Sequence, residues 1–132
     1  MRHEFGYEPI GEKLYPIIPL LVGFGNDWVP INALVDSGAN LCIFNADVGR
    51  ALGIEIEKGE KLILSGIAGK ITSFVHKIKL NIEGEEMEVD AAFTDELAVP
   101  INLLGRKDLF EKFSITFDES EKKILFETKN RG

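Results

Sequence analysis

The sequence predicts an all-β protein whose strands close, or nearly close, into a barrel. Three observations carry that expectation. Short apolar runs alternate with polar residues at a period of two, polar turns separate neighbouring runs, and only two stretches read as helices, both short. No internal repeat, linker or low-complexity segment divides the chain, so residues 1–132 are expected to form a single domain, large enough to bury a core of its own.

The elements follow in order. Ile31, Ala33 and Val35 alternate with Asn32 and Leu34, a strand that runs directly into Asp36. Asn45 is placed to cap a turn or two of helix in which Val48 and Leu52 fall at i and i+4, and Gly53 is placed to end it in the left-handed conformation. Phe74, Ile78, Leu80 and Ile82 then share one parity, and Ser73, Lys77, Lys79, Asn81 and Glu83 the other. That pattern gives a strand with one buried face. Glu83-Gly84-Glu85 turns the chain into a partner strand, where Met87, Val89, Ala91 and Phe93 oppose Glu86, Glu88 and Asp90. After Gly105-Arg106, the stretch Lys107 to Lys112, with Leu109, Phe110 and Phe113, reads as the second helix. A last hairpin joins Phe113, Ile115 and Phe117 to Ile124 and Phe126 through the polar turn Asp118 to Glu121.

Composition narrows the function. With 22 acidic residues against 15 basic ones and a net charge of -7, the chain is a poor partner for nucleic acid, whose phosphates are neutralised by Lys and Arg. The single cysteine, Cys42, excludes an internal disulfide and suits a reducing compartment; its apolar neighbours predict burial. The N-terminus lacks the continuous apolar stretch of a signal peptide, and Ile17 to Phe24 is too short to span a bilayer. A soluble, cytoplasmic protein with no membrane partner is expected. His3 and His76 are far apart in sequence and form no zinc-ligand cluster, so neither metal nor cofactor is expected, and His76 is expected to be structural.

The chemistry centres on Asp36. It follows a strand too apolar to end casually in a charge, and Ser37-Gly38 gives a tight turn that would hold the carboxylate at a loop tip, partly shielded from water. A second glycine-rich segment, Ser65-Gly66-Ile67-Ala68-Gly69, lies between Leu62 to Leu64 and Ile71 to Phe74 and reads as a hairpin tip. It does not match a phosphate loop, since no Gly-Lys-Ser/Thr follows.

The run Ala33-Leu34-Val35-Asp36-Ser37-Gly38-Ala39 resembles the active-site loop of the retropepsins, the retroviral-type aspartic proteases. Val99-Pro100-Ile101-Asn102-Leu103-Leu104-Gly105-Arg106 resembles the family's second signature, and Gly66, Ile67, Ala68 and Gly69 resemble the tip of its flap. The three motifs stand in the family's order over about residues 31 to 113.

The resemblance implies a retropepsin-like barrel with a flap hairpin, assembling as a symmetric homodimer, because one chain supplies one catalytic aspartate and the chemistry needs two. It implies an aspartic endopeptidase in which Asp36 and its counterpart activate a water. Ser37 would hydrogen-bond across the dimer axis, Gly38 would present its carbonyl to the peptide, and Ala39 would let the peptide pass. Ala39, Ile43, Ile67, Ile101 and Leu103 would line apolar side-chain pockets, with cleavage between hydrophobic residues. Gly105 and Arg106 would support the active-site loop, although Asn40 stands where retroviral enzymes often place the Asp that pairs with this arginine. The segments around Phe5 to Tyr7 and Ile124 to Glu127 are the candidates for terminal strands that interleave between the two chains. The alternatives are a dimeric peptide-binding module of the same fold with little or no proteolytic activity, and an inactive subunit that pairs with a different chain.

Overall fold

The computed structural model describes residues 1–66 and 69–129. In chain order its elements are β1 (Arg2–Gly6), β2 (Glu8–Ile10), β3 (Lys13–Tyr15), β4 (Ile17–Phe24), β5 (Asp27–Val35), β6 (Cys42–Asn45) and helix α1 (Ala46–Ala51). A 3-10 turn (Ile56–Lys58) leads into β7 (Glu60–Gly66), β8 (Gly69–Ile82), β9 (Glu85–Thr94), β10 (Asn102–Leu104), helix α2 (Leu109–Lys112), β11 (Phe113–Asp118) and β12 (Lys123–Thr128).

Apolar alternation along β4, β5, β8 and β9 makes each of these strands bury one face, and they satisfy that face by curling into one sheet. The order is β4-β5-β10-β6-β9-β8-β7, and β4 also pairs with β8. This extra pairing closes β4, β5, β10, β6, β9 and β8 into a barrel, with β7 attached to the outside of β8. Closure removes the exposed edges that an open sheet would carry. Ile18, Val22, Leu80, Ile82, Phe44 and Phe93 fill the interior, fully buried, with the Phe44 and Phe93 rings edge to face at 5.9 Å. Burying each such phenyl ring contributes roughly 2–3 kcal/mol.

A smaller sheet, β1-β12-β11, packs at the ends of the chain. Phe126 lies between Phe5 and Phe113, edge to face with both at 5.8 and 5.2 Å. The two terminal segments that are the candidates for closing a dimer pair with each other within the chain, with Phe5 opposite Ile124 and His3 opposite Phe126. His3 is buried, and its ring reaches the β8–β9 turn: Nδ1 lies 2.9 Å from Glu83 and Nε2 2.6 Å from Glu85.

The short helices follow local chemistry. Asn45 caps α1 by accepting from Asp47 N–H at 2.8 Å, and Gly53 beyond its end has φ +79°, as the capping pattern requires. The second helix starts two residues later than its sequence suggests. Asp108 has φ 69° and ψ -50°, and Leu109 N–H bonds back to the Lys107 carbonyl at 2.8 Å, a tight three-residue turn that excludes Lys107 and Asp108 from the helix.

The parity of β8 also differs from expectation in its first half. Ser73 is fully buried and Phe74 only partly, because the Ser73 hydroxyl donates to the Leu62 carbonyl at 2.7 Å across the β7 pairing. From Ile78 onward the expected face is buried. His76 is structural in its contacts, with Nε2 2.8 Å from the Ile56 carbonyl oxygen and its ring edge to face with Phe93. Among the described residues no helix is long and apolar enough to cross a membrane, and no cluster of His, Cys, Asp and Glu could hold a metal.

Candidate active site

β5 ends at Val35 because its last buried side chain completes the barrel interior, and Asp36 is the next residue out. Parallel pairing with β10 sets Leu34 opposite Leu103 and Val35 opposite Leu104, and Asp36 N–H continues the ladder to the Leu104 carbonyl at 2.9 Å. The loop then turns on itself. Gly38 N–H donates to Asp36 Oδ1 at 2.8 Å, and Ala39 N–H donates to the Asp36 carbonyl at 3.1 Å. The first bond fixes Oδ1 against the loop backbone and the second closes the turn; Oδ2 accepts no hydrogen bond from the described residues. Asp36 is half-buried, with Ser37 and Gly38 exposed and Ala39 half-buried.

Gly105 holds the loop from the other side. It is buried where β10 turns toward α2, and a Cβ there would lie 2.5 Å from the Leu41 carbonyl carbon, 2.9 Å from the Ala39 carbonyl oxygen, and against the Leu41 carbonyl oxygen. Only glycine lets the two backbones approach this closely. Once they meet, Arg106 N–H donates to the Ala39 carbonyl at 2.9 Å and Lys107 N–H to the Asn40 carbonyl at 2.8 Å. The Arg106 guanidinium also donates to Asn40 Oδ1. An amide oxygen thus accepts where an aspartate was looked for. Next to this clamp, hydrogen bonds and charge from Lys107, with help from Lys77, lower the Asp90 carboxyl despite its partial burial. Cys42, under the same turn, has its thiol pushed up to about 11 by burial, only partly offset by a backbone hydrogen bond from Gly105.

A cavity of about 480 Å³ is lined by Ile10, Tyr15, Leu34, Leu97, Val99, Ile101 and Leu103; Leu34 stands two residues before Asp36 on β5. Two of these, Ile101 and Leu103, were singled out in the sequence. Ile43 pairs with Leu103 across β6 and β10 but stands outside the cavity lining. Nothing in the sequence marks Ile10, Tyr15 or Leu97 for this cavity, and Val99 stands in the second signature without a pocket role. Leu34 had a readable signal: it is an apolar residue on the face of β5 opposite to Ala33 and Val35, immediately before the carboxylate.

Gly66 and Gly69 face each other at the end of the β7–β8 hairpin, with Gly69 at φ +112°; Ile67 and Ala68 lie outside the described residues. Midway along, the hairpin is tied to the end of β9 and the loop after it. Thr72 N–H donates to Glu96 at 3.0 Å, and the Thr94 hydroxyl donates to the Thr72 carbonyl at 2.8 Å. That loop goes on to supply Leu97 and Val99 to the cavity.

The segments that converge on the site, residues 28–43 and 99–105, contain no carboxylate other than Asp36. One such group can be a base or an acid in a given step, but not both.

Residues 20–107 match the family model described as aspartyl protease. The fold is similar to that of a retropepsin-like aspartic protease from Rickettsia conorii, at 18% identity and a TM-score of 0.64, covering 96% of this chain and 90% of that one. It is also similar to EIAV protease, solved in complex with the inhibitor HBY-793, at 20% identity and a TM-score of 0.58, covering 79% of this chain and 92% of that one. At these identities the likeness is one of fold. No curated protein sequence matches the chain.

Proposed function

The chain belongs to the aspartyl protease family, and we propose that it is an aspartic endopeptidase whose active site forms when two copies bring their Asp36 loops together on a two-fold axis. The observation that carries this reading is the single half-buried carboxylate of Asp36, held at the end of β5 by β10 and Gly105, with no second carboxylate in residues 28–43 and 99–105. Peptide hydrolysis by an acid and a base needs a pair.

Two aspartates facing each other cannot both ionise comfortably, so the pair holds one proton over a broad pH range. The ionised Asp36 takes a proton from water as the water oxygen bonds to the peptide carbonyl carbon. The protonated Asp36 gives its proton to the carbonyl oxygen. The aspartate that took the water proton then passes it to the amide nitrogen while its ionised partner takes a proton from one hydroxyl of the diol, so the C–N bond breaks to give a carboxylic acid and an amine and the pair again holds one proton. The two apparent pKa values belong to the pair as a unit.

In this reading Ser37 holds the two loops together, Gly38 and Ala39 carry the peptide, and the β7–β8 hairpin around Gly66, Ile67, Ala68 and Gly69 covers it as a flap. Ile43, Ile101 and Leu103 contact substrate side chains and favour hydrophobic residues around the cleaved bond. Gly105 and Arg106 support the loop. An extended peptide gains its main-chain hydrogen bonds as an added strand, with limited sequence preference.

The test is cleavage of an unfolded protein by the purified chain and by Asp36→Asn, from about pH 3 to about pH 7, with and without pepstatin, read by mass spectrometry. Cleavage abolished in the variant and by pepstatin supports the reading. A wild-type dimer that binds peptides and cuts none points to a binding module, and an inert monomer points to a missing partner chain.

A further inference from the structure

β2 and β3 pair only with each other and form a two-stranded sheet of their own. A hairpin of this size is marginal by itself, so its position depends on its roots. Both are anchored: Tyr7 is buried and its N–H donates to the Lys122 carbonyl at 2.9 Å, while the Pro16 carbonyl accepts from Val35 N–H at 2.9 Å, one residue before Asp36. The tip turns at Gly11, with φ +65°. The hairpin therefore stands as an arm fixed next to the carboxylate, and it lies outside the residues, 20–107, that match the family.

That arm keeps apolar surface in water. Ile10 is 38% exposed, Leu14 45%, and Val99, which lines the same cavity as Ile10, 57%. Ile10 and Tyr15 line the 480 Å³ cavity together with Ile101 and Leu103. None of the residues lining it is charged. A charged side chain entering it would lose its hydration without gaining a counter-charge, whereas an apolar one would cover the exposed rim. The volume lies within the range of about 300–1,000 Å³ typical of sites that enclose small groups.

We infer that the β2–β3 hairpin is a specificity wall, in which Ile10 and Tyr15 set the size of the uncharged apolar side chain that an extended peptide places in the cavity they share with Leu34, two residues before Asp36. The inference rests on the endopeptidase reading and adds a determinant from outside the matched segment. Discrimination between apolar side chains of different size in such a pocket is on the order of 10–200-fold per methylene-sized difference.

A peptide library varied at each position around the cleaved bond, digested by the full chain and read by mass spectrometry, tests it with wild type, Ile10→Ala, Ile10→Trp and Tyr15→Ala. Dimer content is measured in parallel by analytical ultracentrifugation. Wild type is expected to favour Leu, Met or Phe over Ala, Asp and Lys at one position. Ile10→Trp, which fills the cavity, is expected to lower cleavage at Leu and Phe there by ~10-fold or more relative to Ala, and Ile10→Ala and Tyr15→Ala to flatten the Leu-over-Ala preference by ~10-fold. Unchanged preference in all three variants overturns the inference while leaving the protease reading intact. So does a loss of dimer in which the remaining dimer cuts with wild-type preference, since the hairpin then serves contact between copies. A wild type that cuts nothing, or an Asp36→Asn variant that cuts like wild type, overturns the endopeptidase reading and the inference with it.

Discussion

Substituting Gly105 by alanine adds one methyl group at the most crowded backbone crossing of the site. The new Cβ would sit 2.5 Å from the Leu41 carbonyl carbon and 2.9 Å from the Ala39 carbonyl oxygen, where ordinary contact begins at 3.4 Å. Both neighbours are backbone and cannot rotate away, so the Asp36 loop must retreat by roughly 1 Å. Overpacking of this kind costs about 1–3 kcal/mol. Weakening the Arg106 N–H to Ala39 and Lys107 N–H to Asn40 bonds, which share the crossing, adds about 1 kcal/mol each. The expected loss is about 3–5 kcal/mol, or on the order of 10–20 °C in Tm. A 1 Å displacement of the carboxylate should lower kcat/KM by ~100-fold even below the melting transition. Circular dichroism melts and peptide turnover check both. Gly6→Ala is the control, because a Cβ there meets nothing within 4 Å, and it should leave Tm within about 2 °C of wild type. A Gly105→Ala protein that melts as Gly6→Ala does would refute the claim that close backbone approach positions the loop.

Other expectations follow from the same geometry. Glu85 is raised by burial, but hydrogen bonds from Thr128 and His3 and the His3 charge outweigh this and lower it, and Asp90 is lowered by Lys107 and Lys77 against its burial. A carboxylate lowered in the folded state stabilises above its unfolded value, near 4.5 for Glu85, and that stability fades as pH falls through the folded value. Urea midpoints should therefore drop on acidification below about pH 5, and Glu85→Gln should flatten the drop; a rise would contradict the assignment. Cys42, fully buried with a thiol near 11, should resist thiol reagents until the protein unfolds, and rapid labelling of the native state would show the burial to be wrong. Phe126→Ala should cost about 3–5 kcal/mol in a thermal or chemical melt, because both Phe5 and Phe113 pack on that ring. Asp108→Ala should destabilise more than Asp108→Gly in urea, since both lose the acceptor for Asp90 N–H but only alanine keeps the strain of φ 69°.

Much of the site was readable because its determinants are local. A strand ending in Asp36-Ser37-Gly38, a glycine at 105 after two leucines, and an asparagine cap at 45 each carry their conformation in adjacent residues. The β1–β12 pairing was not readable in this way, since Phe5 and Ile124 meet only through the whole fold, and either terminal strand could equally have paired with another chain. The β2–β3 hairpin escaped notice because its strands are three residues long and nearly all exposed, with too little alternation to register. β8 misled in its first half because one strand serves two surroundings: the barrel from Ile78 onward, and the β7 hairpin before it, where a serine bonded to a carbonyl replaces an apolar side chain. Asp108 misled because backbone strain leaves no mark in composition.

Because the segments around Asp36 hold one carboxylate per chain, the proposed enzyme has a reaction order built into it. Below the dissociation constant of the pair, doubling the protein would quadruple the rate, and dilution alone would switch the activity off without any inhibitor. At constant total protein, replacing half of the wild type by Asp36→Asn would do more than halve the activity. Random pairing would leave about one quarter of the dimers with two aspartates, so a single defective copy would act as a poison to its neighbours.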